Sequence, residues 1–233
     1  MAADVAPDEG RSDVEFFFDP VCPFCWQTSR WIEEVRRQRP IEVRWRPISL
    51  WVLDESSEAP DSPMGRMHRK GHDLQRVVVA AEQDAGAQYV GPLYTAISRR
   101  IFELEAPDED GFDAVADHVA DLDLDVAAAL REAKLPDSLA VVSPADADRH
   151  DAVLRQNTAE AQARAGEDVG TPVLSFDPPD GPAFFGPVIS RVPKGEDAIE
   201  LYDAVVTLTR FGSFAELKRE LRENPAVPLL GRV

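Results

Sequence analysis

Residues 14–26 read VEFFFDPVCPFCW, and the fold follows from how this stretch is parsed. Val14–Phe18 is a short apolar run of strand type, and Pro20, Pro23 and the Cys22–Cys25 pair end it at once. A helical pattern follows through Trp26, Trp31, Ile32 and Val35, stopping near Arg39 and Pro40, where proline cannot continue a helix. Residues 41–45 (IEVRW) alternate apolar and polar side chains, as a strand does. Strand, turn, helix, strand is a βαβ unit with a parallel pair.

Outward from this unit the pattern changes. Residues 64–87 carry Leu74, Val77, Val78 and Ala81 at helical spacing, and 92–104 repeat this with Leu93, Tyr94, Ile97, Ile101 and Phe102. Shorter helical candidates lie at 112–122, 126–134 and 138–142. A helix after Pro144 closes at Gly166. Strand signals return only at 173–176 (VLSF) and 183–185, joined by a turn, and helices at 196–210 and 214–223 complete the pattern. The economical reading is one central mixed sheet, βαβ at the start and ββα at the finish, with an all-α block inserted between its halves. The expected organisation is an acidic, disordered tail at 1–12, a thioredoxin-like part at 13–52, an inserted helical lid at 53–149, the second thioredoxin-like part at 150–226 and a C-terminal tail at 227–233.

Composition excludes several classes. At roughly 150 residues per domain, 233 residues make one large domain or one domain with an insertion. A chain of this size needs no disulfide staples to hold its core. The formal charge of −18 and the absence of a basic block argue against nucleic acid. The same field repels anionic membranes. No apolar run is long enough for a membrane-spanning helix, and the acidic N-terminus does not read as a secretory signal, so a cytoplasmic protein is expected. Between Glu103 and Asp151 stand 15 acidic residues against Arg131, Lys134 and Arg149. That block reads as a solvated helical face, with a docking surface for a basic partner as the other option.

The chemistry concentrates in Cys22-Pro23-Phe24-Cys25. A C-x-x-C beside a βαβ unit reads as a redox dithiol. Cys22 falls at a helix N-terminus, where unpaired amides and the helix dipole stabilise a thiolate. Cys25, one turn on and facing the core, can resolve a mixed disulfide. Three alternatives stay open: two structural thiols, half of a zinc site completed by His68 and His72, and a degenerate site. Asp19, just before the dithiol, either tunes its proton balance or shapes the turn. Thr171-Pro172 directly precedes a strand. A cis proline beside a dithiol exposes backbone that can pair with a substrate strand, and a cis bond is expected here. Trp31, Trp45 and Trp51 read as packing, the Phe184-Phe185 pair as core more than cleft, and His118 and His150 as surface.

Together FDPVCPFCW, the long helical insertion, GEDVGTPVL, FFGPV and RVPKGEDAIELYDAV resemble the DsbA-like branch of the thioredoxin superfamily, and within it the actinobacterial mycothiol-dependent reductases, nitroreductases and mycoredoxin-like proteins. The likeness spans about Val14 to Arg222. It implies a thioredoxin fold with a helical lid, a dithiol with Cys22 as nucleophile and Cys25 as resolving thiol, a cis-proline loop at Thr171-Pro172, and a homodimer. Pro23, Phe24 and Trp26 would flank the thiol-binding cleft. Family members tend to carry Trp where this chain has Phe24, and His near the position of Phe102.

The expected function is a cytosolic thiol–disulfide oxidoreductase acting on disulfide or electrophilic substrates, nitro compounds included. Its dithiol would be regenerated by a low-molecular-weight thiol, mycothiol by the resemblance, with no bound cofactor and no metal. Partners would be small-thiol mixed disulfides or disulfide-bearing proteins. Two other functions stay in view: an oxidative foldase, disfavoured because the cytosol keeps dithiols reduced, and a non-catalytic binding or scaffold protein that keeps the fold.

Overall fold

The computed structural model describes residues 13–55, 57–108, 111–179, 181–220 and 223–231. The acidic segment 1–12 lies outside the described residues.

A four-stranded sheet in the order β2-β1-β3-β4 centres the molecule, built from β1 (Val14–Phe18), β2 (Val43–Pro47), β3 (Val173–Phe176) and β4 (Ala183–Phe185). β1 runs parallel to β2, with Phe16 opposite Trp45, and antiparallel to β3, with Phe16 opposite Leu174. The parallel pair and the terminal hairpin are those read from the sequence. A strand flanked on both faces is apolar along its whole length, and VEFFF is buried at every position. Phe16 and Phe18 join the main core, whereas Phe17 packs with Ile48, Ala161 and Val173. On that second face Glu15 is buried but held by Arg46 at 2.8 Å and Arg164 at 2.6 Å.

Helix α1 (Pro23–Arg36) joins β1 to β2. The helices α2 (Leu50–Leu53), α3 (Pro63–Ala85), α4 (Val90–Phe102), α5 (Phe112–Ala120) and α6 (Val126–Glu132) follow, then α7 (Pro144–Ala165) leads back to β3. The last helix is α8 (Glu196–Thr209). Proline opens α1, α3 and α7, where its missing N–H costs nothing. Ser62 and Ser143 cap α3 and α7 through their hydroxyls.

The helical segment shares one core with the sheet. Tyr94 of α4 packs its ring 4.1 Å from Phe18 and 5.6 Å from Trp45. This approach depends on Gly91, where a Cβ would sit 2.4 Å from Trp45 Nε1. Trp31 and Trp45 are packing residues, as expected, and Trp31 Nε1 donates to the Ala198 carbonyl at 2.9 Å. Trp51 is half-buried.

Four expectations need correction. The helix read at 214–223 does not form over residues 214–220, and Leu217 is 83% exposed. A short helix in water needs a buried face, and this segment finds none. The helix read at 138–142 is a 3₁₀ turn, Asp137–Ala140. Residues 227–231 are no tail: Val227 and Leu229 are buried in the main core, and Pro228–Leu230 packs on α4 and α5. His150 is buried, not at the surface, because α7 turns that side inward. His118 is half-buried.

Candidate active site

The dithiol sits where β1 gives way to α1. Cys22 is the N-cap of α1, and the Cys25 N–H donates to its sulfur at 3.3 Å. From the far half of the chain the Thr171 carbonyl accepts from the Cys22 thiol at 3.5 Å. Both cysteines are free thiols, Cys22 5% exposed and Cys25 fully buried. Burial alone would push the Cys22 thiol up. Hydrogen bonds with the Cys25 side chain, with Thr171 and with the Cys25 backbone N–H outweigh it, leaving Cys22 below the ordinary thiol value. Burial, reinforced by Cys22, drives Cys25 well above it. Two thiols three residues apart thus have opposite tendencies: one ionises readily and touches the surface, and the other keeps its proton inside.

Thr171-Pro172 lies against this pair. Its peptide bond is cis, as expected, and so are Pro178–Pro179 and Gly186–Pro187. The Thr171 hydroxyl is buried beside the pair with no hydrogen-bond partner in this geometry among the described residues, and its proximity favours the thiolate of either cysteine. The sequence marked Thr171 for its backbone; the structure also brings its buried hydroxyl to the pair. The hairpin is tied back to α1 by the Thr28 hydroxyl, which donates to the Pro187 carbonyl at 2.8 Å.

Pro23 and Phe24 are half-buried at the mouth of the turn. Trp26 is buried: its ring stacks with Phe102 at 6.1 Å and lies under the Arg30 guanidinium at 4.3 Å. Phe185 is 46% exposed, and Phe184 meets Phe214 at 5.9 Å.

The helical segment reaches the turn from two sides. Ser98 of α4 donates through its hydroxyl to the Pro20 carbonyl at 3.1 Å. On α3, Gly71 stands so close that a Cβ there would lie 2.7 Å from Asp19 Oδ1. Asp19 itself is fully buried. Its carboxylate accepts from the Val21 N–H at 3.0 Å and the Leu50 N–H at 2.9 Å. Burial overrides these bonds, and its pKa is pushed up to about 6. Of the two sequence roles for Asp19, turn shaping is the one its two backbone hydrogen bonds display. Ser98 and Gly71 carry no sequence signal, since their contacts depend on the tertiary approach of α3 and α4.

His68 and His72 do not converge on the cysteines as a zinc site would require. His72 binds Ser49 at 2.8 Å and Asp151 at 2.9 Å, and His68 lies 3.2 Å from Asp54. Among the described residues no cluster of three or more His, Cys, Asp or Glu side chains is gathered for a metal. No helix of the described residues is long and apolar enough to cross a membrane.

A thioredoxin-type βαβ…ββα sheet with a C-x-x-C at the first helix and a cis proline across from it defines the class: a thioredoxin-fold thiol–disulfide oxidoreductase. The chain belongs to the Rv2466c-like family, described as mycothiol-dependent nitroreductase Rv2466c, whose profile matches residues 21–219. It is 31% identical over 206 residues to the uncharacterized protein Rv2286c of Mycobacterium tuberculosis (strain ATCC 25618 / H37Rv), covering 88% of this chain and 81% of that one. The crystal structure of a candidate protein disulfide isomerase from Nitrosomonas europaea superposes with a TM-score of 0.51 at 16% identity, over 83% of this chain and 97% of that one. At that identity the likeness speaks for the DsbA-like fold.

Proposed function

We propose that the protein is a cytoplasmic, mycothiol-dependent thiol–disulfide oxidoreductase working in the reducing direction. The observation that carries the reading is the asymmetry of the dithiol, an ionisable Cys22 at the mouth above a buried, protonated Cys25. Cys22 thiolate attacks one sulfur of a disulfide, forming a mixed disulfide and releasing the other sulfur as a thiolate that takes up a proton. Cys25 gives up its proton and attacks Cys22, which releases the second thiol and leaves the Cys22–Cys25 disulfide. Two small-thiol molecules then return the two electrons. The substrates are small-thiol mixed disulfides and disulfide-bearing proteins. Nitro compounds enter as electrophiles through the family's description. Pro23, Phe24 and Trp26 line the approach to the sulfur, and Thr171-Pro172 offers the backbone opposite.

In this reading 13–52 and 150–226 form one thioredoxin-like domain, 53–149 is its lid, and the active species is a homodimer. The test is turnover of a mixed disulfide with mycothiol, glutathione and thioredoxin as competing reductants, for wild type, Cys22→Ser and Cys25→Ser. Cys22→Ser should be inactive, and Cys25→Ser should accumulate a covalent adduct seen by mass spectrometry. Equal modification of both thiols by iodoacetamide at pH 6 would contradict the assignment. A Cys22 that titrates near the free value of about 8.5 would favour a scaffold role.

A further inference from the structure

A second hydrogen-bonded system runs through the inserted segment and ends on the active turn. It begins at the partly exposed Asp151 of α7, which takes a forked bond from Arg76 of α3, Nε to Oδ1 at 2.6 Å and Nη2 to Oδ2 at 2.7 Å. His72 Nε2 lies 2.9 Å from the same Oδ1, and His72 Nδ1 lies 2.8 Å from the Ser49 hydroxyl. Ser49 is the N-cap of α2, and its hydroxyl accepts from the Val52 N–H at 3.3 Å. The N–H of the next residue, Leu50, donates to Asp19 Oδ2 at 2.9 Å. Asp19 then closes the turn: its Oδ1 accepts from the Val21 N–H at 3.0 Å, and its carbonyl accepts from the Cys22 N–H at 3.2 Å. Each step from Asp151 to Cys22 is thus a hydrogen bond or a covalent link.

The polarity of this path follows from its ends. An ionised carboxylate only accepts, so His72 Nε2 carries the hydrogen that faces Asp151. A neutral ring then leaves Nδ1 as an acceptor, and the Ser49 hydroxyl donates to it. Burial favours that neutral form and holds the ring below its ordinary pKa of 6.5. The Ser49 hydroxyl is therefore committed twice, as donor to His72 and as acceptor from Val52, which fixes its rotamer and the peptide that follows. We infer that His72 is a positioning residue for the dithiol turn: through Ser49 it aims the Leu50 N–H at the Asp19 carboxylate, and so fixes the turn that presents Cys22. The inference rests on Cys22 being the reactive thiol. Ser49, His72 and Asp151 do not make a hydrolytic site, because Ser49 is fully buried. The charged groups near His72 are Asp73 and Arg76 on its own helix, Asp151 on α7 and Glu55 after α2. Those near Asp19 are Cys22 and Cys25 on α1, His68 on α3 and Asp54 after α2. Against burial, the Leu50 bond is what most favours the Asp19 carboxylate.

The experiment compares, in the full chain, wild type, Ser49→Ala, His72→Gln, His72→Asn and the Ser49→Ala/His72→Gln double variant. Glutamine keeps a donor near the place of Nε2 for Asp151 but loses the acceptor for Ser49. Asparagine keeps an acceptor near the place of Nδ1 for Ser49 but loses the donor to Asp151. Each removes one bond of the ring, so both destabilise the fold, yet only glutamine breaks the path to Asp19. The readouts are the Asp19 carboxyl midpoint by carboxyl-carbon NMR, about 6 in wild type, and iodoacetamide labelling of Cys22 at pH 7.5, followed peptide by peptide. His72→Gln and Ser49→Ala should raise the Asp19 midpoint by at least about half a unit, as loss of a donor to a carboxylate does. Both should also slow Cys22 labelling at least about twofold, the effect of a thiol pKa rise of roughly 0.3 unit. His72→Asn should restore both readouts to near wild type, and the double variant should match Ser49→Ala, since the two changes break one path. If His72→Gln fails to fold, Ser49→Ala against His72→Asn carries the test. Equal shifts with asparagine and glutamine, losses that add in the double variant, or a wild-type Asp19 midpoint in the folded variants overturn the inference. Neither readout requires turnover, so a protein that fails to reduce any disulfide would refute the proposed function while leaving this result standing.

Discussion

Gln75→Met tests how firmly α3 is fixed to the sheet beneath the dithiol. The Gln75 side-chain amide donates at once to the Phe18 carbonyl at 2.7 Å and the Ile48 carbonyl at 2.8 Å, joining the ends of β1 and β2 to the inserted segment. Methionine matches the length and helix preference of glutamine but donates nothing. The Phe18 carbonyl keeps the Ile48 N–H at 3.0 Å, so its loss is a single hydrogen bond, about 0.5–1.5 kcal/mol. The Ile48 carbonyl loses its donor in a buried position, at about 1–3 kcal/mol. Against this, Gln75 Oε1 is buried without a partner, and removing it returns roughly 1 kcal/mol. The net expectation is a destabilisation of about 1–3 kcal/mol, read as a lower urea midpoint at unchanged slope. Cys25, fully buried in wild type, should also label faster in native buffer as α3 loosens. A midpoint equal to or above that of wild type would refute the reasoning, since the paired carbonyls would then contribute nothing.

Asp19 gives the expected pH dependence. Its folded pKa of about 6 lies above its ordinary 3.8, so its contribution to stability is full below the unfolded value and is lost as pH rises through about 6. Between about pH 5.2 and 7.5, wild type should lose about 1 kcal/mol relative to Asp19→Asn in parallel urea titrations; a constant difference would contradict it. Gly91→Ala forces a methyl to within 2.4 Å of Trp45 Nε1. Overpacking of about 1–3 kcal/mol should exceed the roughly 1 kcal/mol that alanine gains over glycine in a helix, lowering the thermal midpoint. Phe102→Ala removes the ring stacked on Trp26, and should cost about 3–5 kcal/mol and alter the Trp26 fluorescence.

The parts legible in the sequence were those set by local rules. VEFFF, the prolines at helix starts and the alternation in IEVRW each report their own structure, and the C-x-x-C and Thr-Pro signals need few neighbours to be understood. The parts that were not legible depend on surfaces meeting. Residues 214–223 have a helical pattern but no face to bury, so the pattern stayed unrealised over the described part. Val227 and Leu229 read as a tail because nothing local shows that α4 and α5 leave room for them. His150 sits among acids in sequence yet inside in space. At the site, Cys22, Cys25, Thr171 and Pro172 come together, and Asp19 was visible beside them. Gly71, Gln75 and Ser98 became functional neighbours only through the docking of α3 and α4.

The hydrogen bond between Cys22 and Thr171 spans 149 residues of chain. While a ribosome is still making the protein, the first cysteines therefore emerge long before the loop that conditions them, and before Val227 and Leu229 can complete the helical core. A nascent chain halted anywhere before residue 171 exposes two thiols of ordinary reactivity, with neither the Thr171 side chain nor a finished wall. The asymmetry of the dithiol is thus a late product of folding, set only once residue 171 has reached Cys22.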